Sequence, residues 1–127
     1  MIKITISKML EEVMNDIVSI DAIQASVLTS NNGLMIAQKI NSYNIDAGTI
    51  AALVAMLTRS AVHTAKELNK GNIEYLLLNA QKGKIIIIKA DPNSILTTLT
   101  DTDANISLII AEMKKAREKI INIFAKV

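Results

Sequence analysis

The sequence predicts a three-layer α/β/α sandwich around a five-stranded, mostly antiparallel sheet. Three observations carry that expectation. Short β-prone segments fall into two blocks, one of two strands and one of three, each with turn signals inside it. A long helical pattern separates the blocks, and a further helix flanks each end of the chain. The run Ile85-Ile86-Ile87-Ile88 is strand-sized and apolar on both sides, as in the middle layer of a three-layer fold. The element order is therefore α-β-β-α-β-β-β-α, with the middle helix on one face and the terminal helices on the other.

Each element has local reasons. Ser7 can cap a first helix by accepting from free backbone amides. Leu10, Val13, Met14 and Ile17 then repeat at helical spacing, with Glu12, Asn15, Asp16 and Ser19 opposite, and the helix ends near Ile20. From Ala22 to Thr29, Ile23, Ala25 and Val27 alternate with Gln24 and Ser26, the pattern of a strand. Ser30-Asn31-Asn32-Gly33 is a hairpin turn, because Asn and Gly tolerate the positive φ that tight turns require. Leu34 to Ala37 returns as the second strand. Asp46 caps the long helix, which runs to Asn69, and Lys70-Gly71-Asn72 closes it. Ile73 to Leu78, Lys84 to Ala90 and Ser94 to Thr100 form the second block, broken by Gln81-Lys82-Gly83 and Asp91-Pro92-Asn93. Asp101 and Asp103 read as turn and cap residues before a last helix from Ala104 to Ala125.

The long helix is unusually apolar. Stepping about 100° per residue from Ile50, Ile50, Val54, Leu57, Ala61, Ala65 and Leu68 form one stripe suited to burial on a sheet. The opposite side carries Ala52, Ala55 and Met56 in its first half. Polar Arg59, His63 and Lys66 appear only later. A surface helix normally buries one stripe and wets the other, so the second apolar face predicts cover by another chain.

The 127 residues suit one domain spanning 1–127 with a core of its own. Half of them are hydrophobic but only 2% are aromatic, so the core is aliphatic. The absence of cysteine removes disulfides, thiolate metal sites and cysteine nucleophiles. The net charge of +2 is spread along the chain, and Lys114, Lys115, Arg117 and Lys119 read as a solvated helix face. Nucleic-acid binding, which wants a concentrated basic face, is not expected. Neither a signal-like leader nor a run near the ~20 apolar residues of a membrane span is present. The expectation is a cytoplasmic protein without integral membrane association.

No catalytic constellation is visible. Gly83-Lys84 lacks the rest of a phosphate-binding loop: Leu78 stands where the upstream glycine belongs and Ile85 where the metal-binding hydroxyl belongs. His63 is the sole histidine, on the outer side of the long helix, and reads as a surface or interface residue. Glu11 and Glu12 point in different directions and make no acid–base pair. Arg59 has the chemistry to enter a GTPase site and stabilise transition-state charge, but its position favours a solvated arginine beside a contact surface. No metal, cofactor or enzymatic activity is expected.

Two segments resemble a known family. Ala25-Ser26-Val27-Leu28-Thr29-Ser30-Asn31-Asn32-Gly33-Leu34-Met35-Ile36-Ala37 resembles the signature hairpin of Roadblock/dynein light chain domains. Ala104-Asn105-Ile106-Ser107-Leu108 resembles the Ala-Asn-Leu-Gly opening of that family's last helix, with Ser107 in place of the usual glycine. Ile50-Ala51-Ala52-Leu53 fits the alanine-rich start of its middle helix. The resemblance implies a non-catalytic, homodimeric scaffold or regulator that binds a small Ras-like GTPase, with modulation of its GTP hydrolysis within the family's range. It also implies pairing of the third strand with a partner copy and side-by-side packing of the two middle helices. The residues that would make this interface are Ala52, Ala55, Met56, Arg59, His63, Tyr75, Leu76, Leu77 and Leu78. Small alanines let helices approach, methionine fills irregular gaps, and Leu76-Leu77-Leu78 carries no proline or charge to guard an edge. The alternatives are a profilin- or longin-like protein-interaction module and a small-ligand sensor domain.

Overall fold

The computed structural model describes residues 2–41 and 44–126. Its elements are α1 (Ile2–Val18), β1 (Ile23–Ser30), β2 (Met35–Ile40), α2 (Ala47–Glu67), β3 (Leu76–Ala80), β4 (Gly83–Asp91), β5 (Ser94–Thr100) and α3 (Ile106–Phe124). This is the expected order. The sheet runs β2-β1-β5-β4-β3, and every neighbouring pair is antiparallel. The two strand blocks therefore join through β1 and β5, leaving β2 and β3 at the edges.

The terminal helices share one face of the sheet. Leu10, Met14 and Ile17 of α1 meet Ile109, Met113 and Ile120 of α3 over Leu28, Ile86, Ile88 and Leu96. On the other face a smaller core joins Ile50 and Val54 of α2 to Ala25, Val27, Ile87, Ile95 and Leu99. The isoleucine run feeds both cores, as its composition predicts: Ile86 and Ile88 go to one, Ile87 to the other. All of β5 is buried, as befits the central strand.

Several boundaries differ from expectation. Ser7 does not cap α1, which already begins at Ile2. Ile6 packs against the core one turn before Leu10, and that contact extends the helix past a good capping residue. Ala22 lies in the preceding turn with φ 74°, and its carbonyl accepts from the Asp101 amide at 2.9 Å. The polar positions of β1 do not mark a wet face. Ser26 is buried and its hydroxyl donates to the Met14 sulfur at 3.2 Å, so alternation here divides two cores.

The return strand continues beyond Ala37 to Ile40, and Leu34 stays outside it. The third strand starts at Leu76 rather than Ile73, because its ladder with β4 runs from Leu76↔Ile87 to Ala80↔Gly83. Asp46 caps α2 as expected, accepting from the Thr49 amide at 3.1 Å and the Thr49 hydroxyl at 2.7 Å. The first left-handed residue after the helix is Asn69, with φ 59°; Gly71 follows two residues on. Asn105, not Asp103, caps α3, accepting from the Leu108 amide at 3.2 Å. Asp101 is the turn residue, accepting from the Asp103 amide at 2.9 Å.

Candidate functional site

The buried stripe of α2 is rotated from the one its spacing suggests. Ala47, Ile50, Ala51, Val54, Ala55 and Thr58 face the sheet, whereas Leu57 and Leu68, expected there, are exposed. The hairpin turn causes the rotation. Gly33 lies so close to the helix that an added Cβ would meet the Ala52 Cα at 3.3 Å and the Ala55 Cβ at 3.5 Å. A glycine at the turn lets β1–β2 press on α2, and small alanines at positions 51, 52 and 55 receive it. Ala55 is thus only 3% exposed and belongs to the chain's own core, not to its outer face.

A second apolar face nevertheless exists. Leu53 is 58% exposed and Met56 is 64% exposed, with Ala52 exposed between the turn and the helix surface. His63 is also exposed. Beyond Thr58 the helix packs loosely, because its close contacts are with β1 and β2 rather than with the β3 side of the sheet. A groove of ≈ 400 Å³ opens there, walled by Leu57, Ala61, Ala65 and Leu68 of α2 and by Ile73 and Leu76 near the edge strand. Leu57, Ala61, Ala65 and Leu68 were the second half of the expected stripe; they border a groove instead of a filled core.

This groove adjoins β3, whose outer side makes no ladder among the described residues. Leu76 and Leu78 point to the α2 face and Leu77 to the other, since strand side chains alternate. Tyr75 precedes the strand and is exposed. Arg59 lies on the opposite flank of α2, in a cavity with Asn31 and Lys89. The structure thus groups Leu76 and Leu78 with one flank of α2, sets Met56, Ala52 and His63 on its crest, and separates Arg59 from both edge-strand leucines. Exposed Leu53 and Leu57 and half-buried Ala61 and Ile73 belong to this apolar surface; the sequence places Leu57 and Ala61 in the buried stripe and does not single out Leu53 or Ile73 as contact residues. Their signal was present in the doubled stripe, but the direction of the sheet could not be read from helical period alone.

Among the described residues no group of three or more His, Cys, Asp or Glu is placed to hold a metal ion. No described helix is long and apolar enough to cross a membrane.

Comparison with known proteins agrees with this architecture. Residues 9–100 match the Roadblock/LC7 domain model. An uncharacterized protein of Methanocaldococcus jannaschii is 30% identical over 116 residues, covering 91% of this chain and 100% of its own length. Among solved structures, Myxococcus xanthus MglB superposes with a TM-score of 0.86 at 18% identity, over 94% of this chain and 90% of its own. An MglB with tetrameric arrangement gives the same TM-score and identity, over 93% and 89%. The chain belongs to the Roadblock/LC7 domain family.

Proposed function

We propose that this chain self-associates through β3 and the adjoining flank of α2, and that the assembly is a non-catalytic platform that docks a small Ras-like GTPase. The observation that carries the reading is the open β3 edge beside an unfilled apolar groove. Monomeric proteins guard such edges with charge, proline or a covering element; Leu76-Leu77-Leu78 has neither charge nor proline. A second copy would continue the sheet through its own β3 and lay its α2 beside the first, over Leu53, Met56, Leu57 and Ala61. Ala52 and His63 would lie near that seam. A stable interface of this kind buries roughly 800 Å² per subunit. The tetrameric arrangement of the MglB structure supports self-association as a property this fold can have. Family membership supports the GTPase as partner.

Leu77→Pro tests the strand pairing, because it removes an amide and distorts the edge. Loss of self-association with the remaining fold intact by circular dichroism is the expected result. A variant that stays fully associated refutes strand pairing. The partner is tested by affinity capture from native lysate with GTP or GDP analogues present. Nucleotide-dependent recovery of a small GTPase is expected, and clean recovery of an unrelated protein overturns that assignment.

A further inference from the structure

Arg59 and Lys89 bring two cationic side chains to one cavity of ≈ 180 Å³. No acidic residue lines it. Among the described residues Arg59 makes no ion pair. Lys89 is half-buried on β4, and its ammonium donates to Asn31 Oδ1 at 2.5 Å and to the Pro92 carbonyl at 3.4 Å. Both acceptors are neutral, so this tie between two turns does not itself neutralise the charge. Burial pushes the Lys89 pKa down, and the Asp91 carboxylate pushes it partly back. Asp91 is itself engaged by the Asn93 amide at 2.7 Å and the Ser94 hydroxyl at 2.8 Å.

A third feature points to a missing acceptor or donor. Thr58, only 6% exposed, also lines the cavity, and its buried hydroxyl has no hydrogen-bond partner among the described residues. Buried hydroxyls are normally satisfied, because leaving one bare costs desolvation energy. The remaining walls, Ala55, Val62 and Ile95, are apolar. Two cations with no acidic residue in the cavity lining, one orphan hydroxyl and an aliphatic wall together describe a receptacle for an acid on a short hydrocarbon stem.

We propose that this cavity receives a glutamate or aspartate side chain of a docking protein partner. Ala55, Val62 and Ile95 cover its methylenes. The Arg59 guanidinium grips the carboxylate as a planar fork, Lys89 adds charge from the floor, and Thr58 supplies a hydroxyl. The inference rests on the chain being a protein-docking module, but not on its self-association, since Arg59 lies on the flank of α2 away from β3.

The test uses the full chain, labelled with nitrogen-15, and titrates it with glutarate, glutaramide and inorganic phosphate at matched ionic strength. Saturable shifts at Thr58, Arg59 and Lys89 with glutarate are expected. Glutaramide, its neutral counterpart, should bind at least roughly tenfold more weakly, as should glutarate to Arg59→Gln, because a charge-assisted pair is lost. Arg59 is exposed, so this variant should keep the fold; Lys89→Gln supplies an independent second change. Equal response to glutaramide, shifts that persist in both variants, or no shift at the cavity overturns the proposal. Tighter binding of phosphate than of glutarate overturns the carboxylate assignment. Light scattering on the same samples reports self-association separately, so a monomer that binds glutarate supports this inference while refuting the strand-paired assembly.

Discussion

Leu77 pairs with Ile86 across the β3–β4 ladder, yet Ile86 is fully buried and Leu77 is 41% exposed. Cross-strand partners share a face, so the core beneath α1 and α3 ends one strand short of the sheet edge. Leu77 is therefore apolar without being needed by the monomer. Leu77→Lys should leave secondary structure and thermal unfolding of the isolated subunit nearly unchanged, while a charge on an edge strand abolishes pairing. Light scattering should then give the 13.8 kDa mass of a single chain.

Gly83 opens β4 with φ 149°, and a Cβ there would come within 2.2 Å of the Thr100 carbonyl oxygen. That neighbour is backbone in the central strand and cannot swing away. Gly83→Ala should cost at least about 2 kcal/mol, read as a lower midpoint in urea with little change of slope.

Thr97 is fully buried in β5, facing the α2 side of the sheet beside Val27 and Ile87, and its hydroxyl has no partner among the described residues. Valine keeps the shape and the β-branch while removing the orphaned polar group. Thr97→Val should stabilise the chain by about 1 kcal/mol. A loss of stability in denaturant unfolding would show that the hydroxyl has a partner in solution.

Asp46 carries a pH dependence. The Thr49 hydroxyl, then the Thr49 amide, hold its carboxyl below the usual carboxylate range. The folded chain thus binds this proton less readily than the unfolded chain, and protonation favours unfolding. The stabilisation is complete above the unfolded value of 3.8 and disappears as pH falls through the lowered folded value. Asp46→Asn keeps an acceptor at the cap but cannot titrate. Its melting temperature should lie below that of the native chain at neutral pH, and the two should converge in acid.

Much of the architecture was legible because each local signal agreed with the global one. The Asn31-Asn32-Gly33 turn, the isoleucine run and the Asp46 cap each carry a local signal that names its element. The first turn of α1 was not legible, because Ile6 holds it by tertiary packing while Ser7 offers a plausible local start. The contact face of α2 was legible only in part. Its composition shows that more than one face is apolar, but the orientation is set by Gly33 pressing on Ala52 and Ala55, a contact distant in sequence. For that reason Ala55 moved into the core while Leu57 moved to the surface. The Arg59–Lys89 cavity was hidden for the same reason: its cations come from α2 and β4, and nothing in their spacing joins them.

The mass of the purified chain in solution, followed by light scattering through a dilution series, tests the central claim most directly. The account predicts a mass that is a multiple of 13.8 kDa, falling to that value on dilution and held there by Leu77→Lys. A native chain that stays at 13.8 kDa at the highest concentration reached would contradict it.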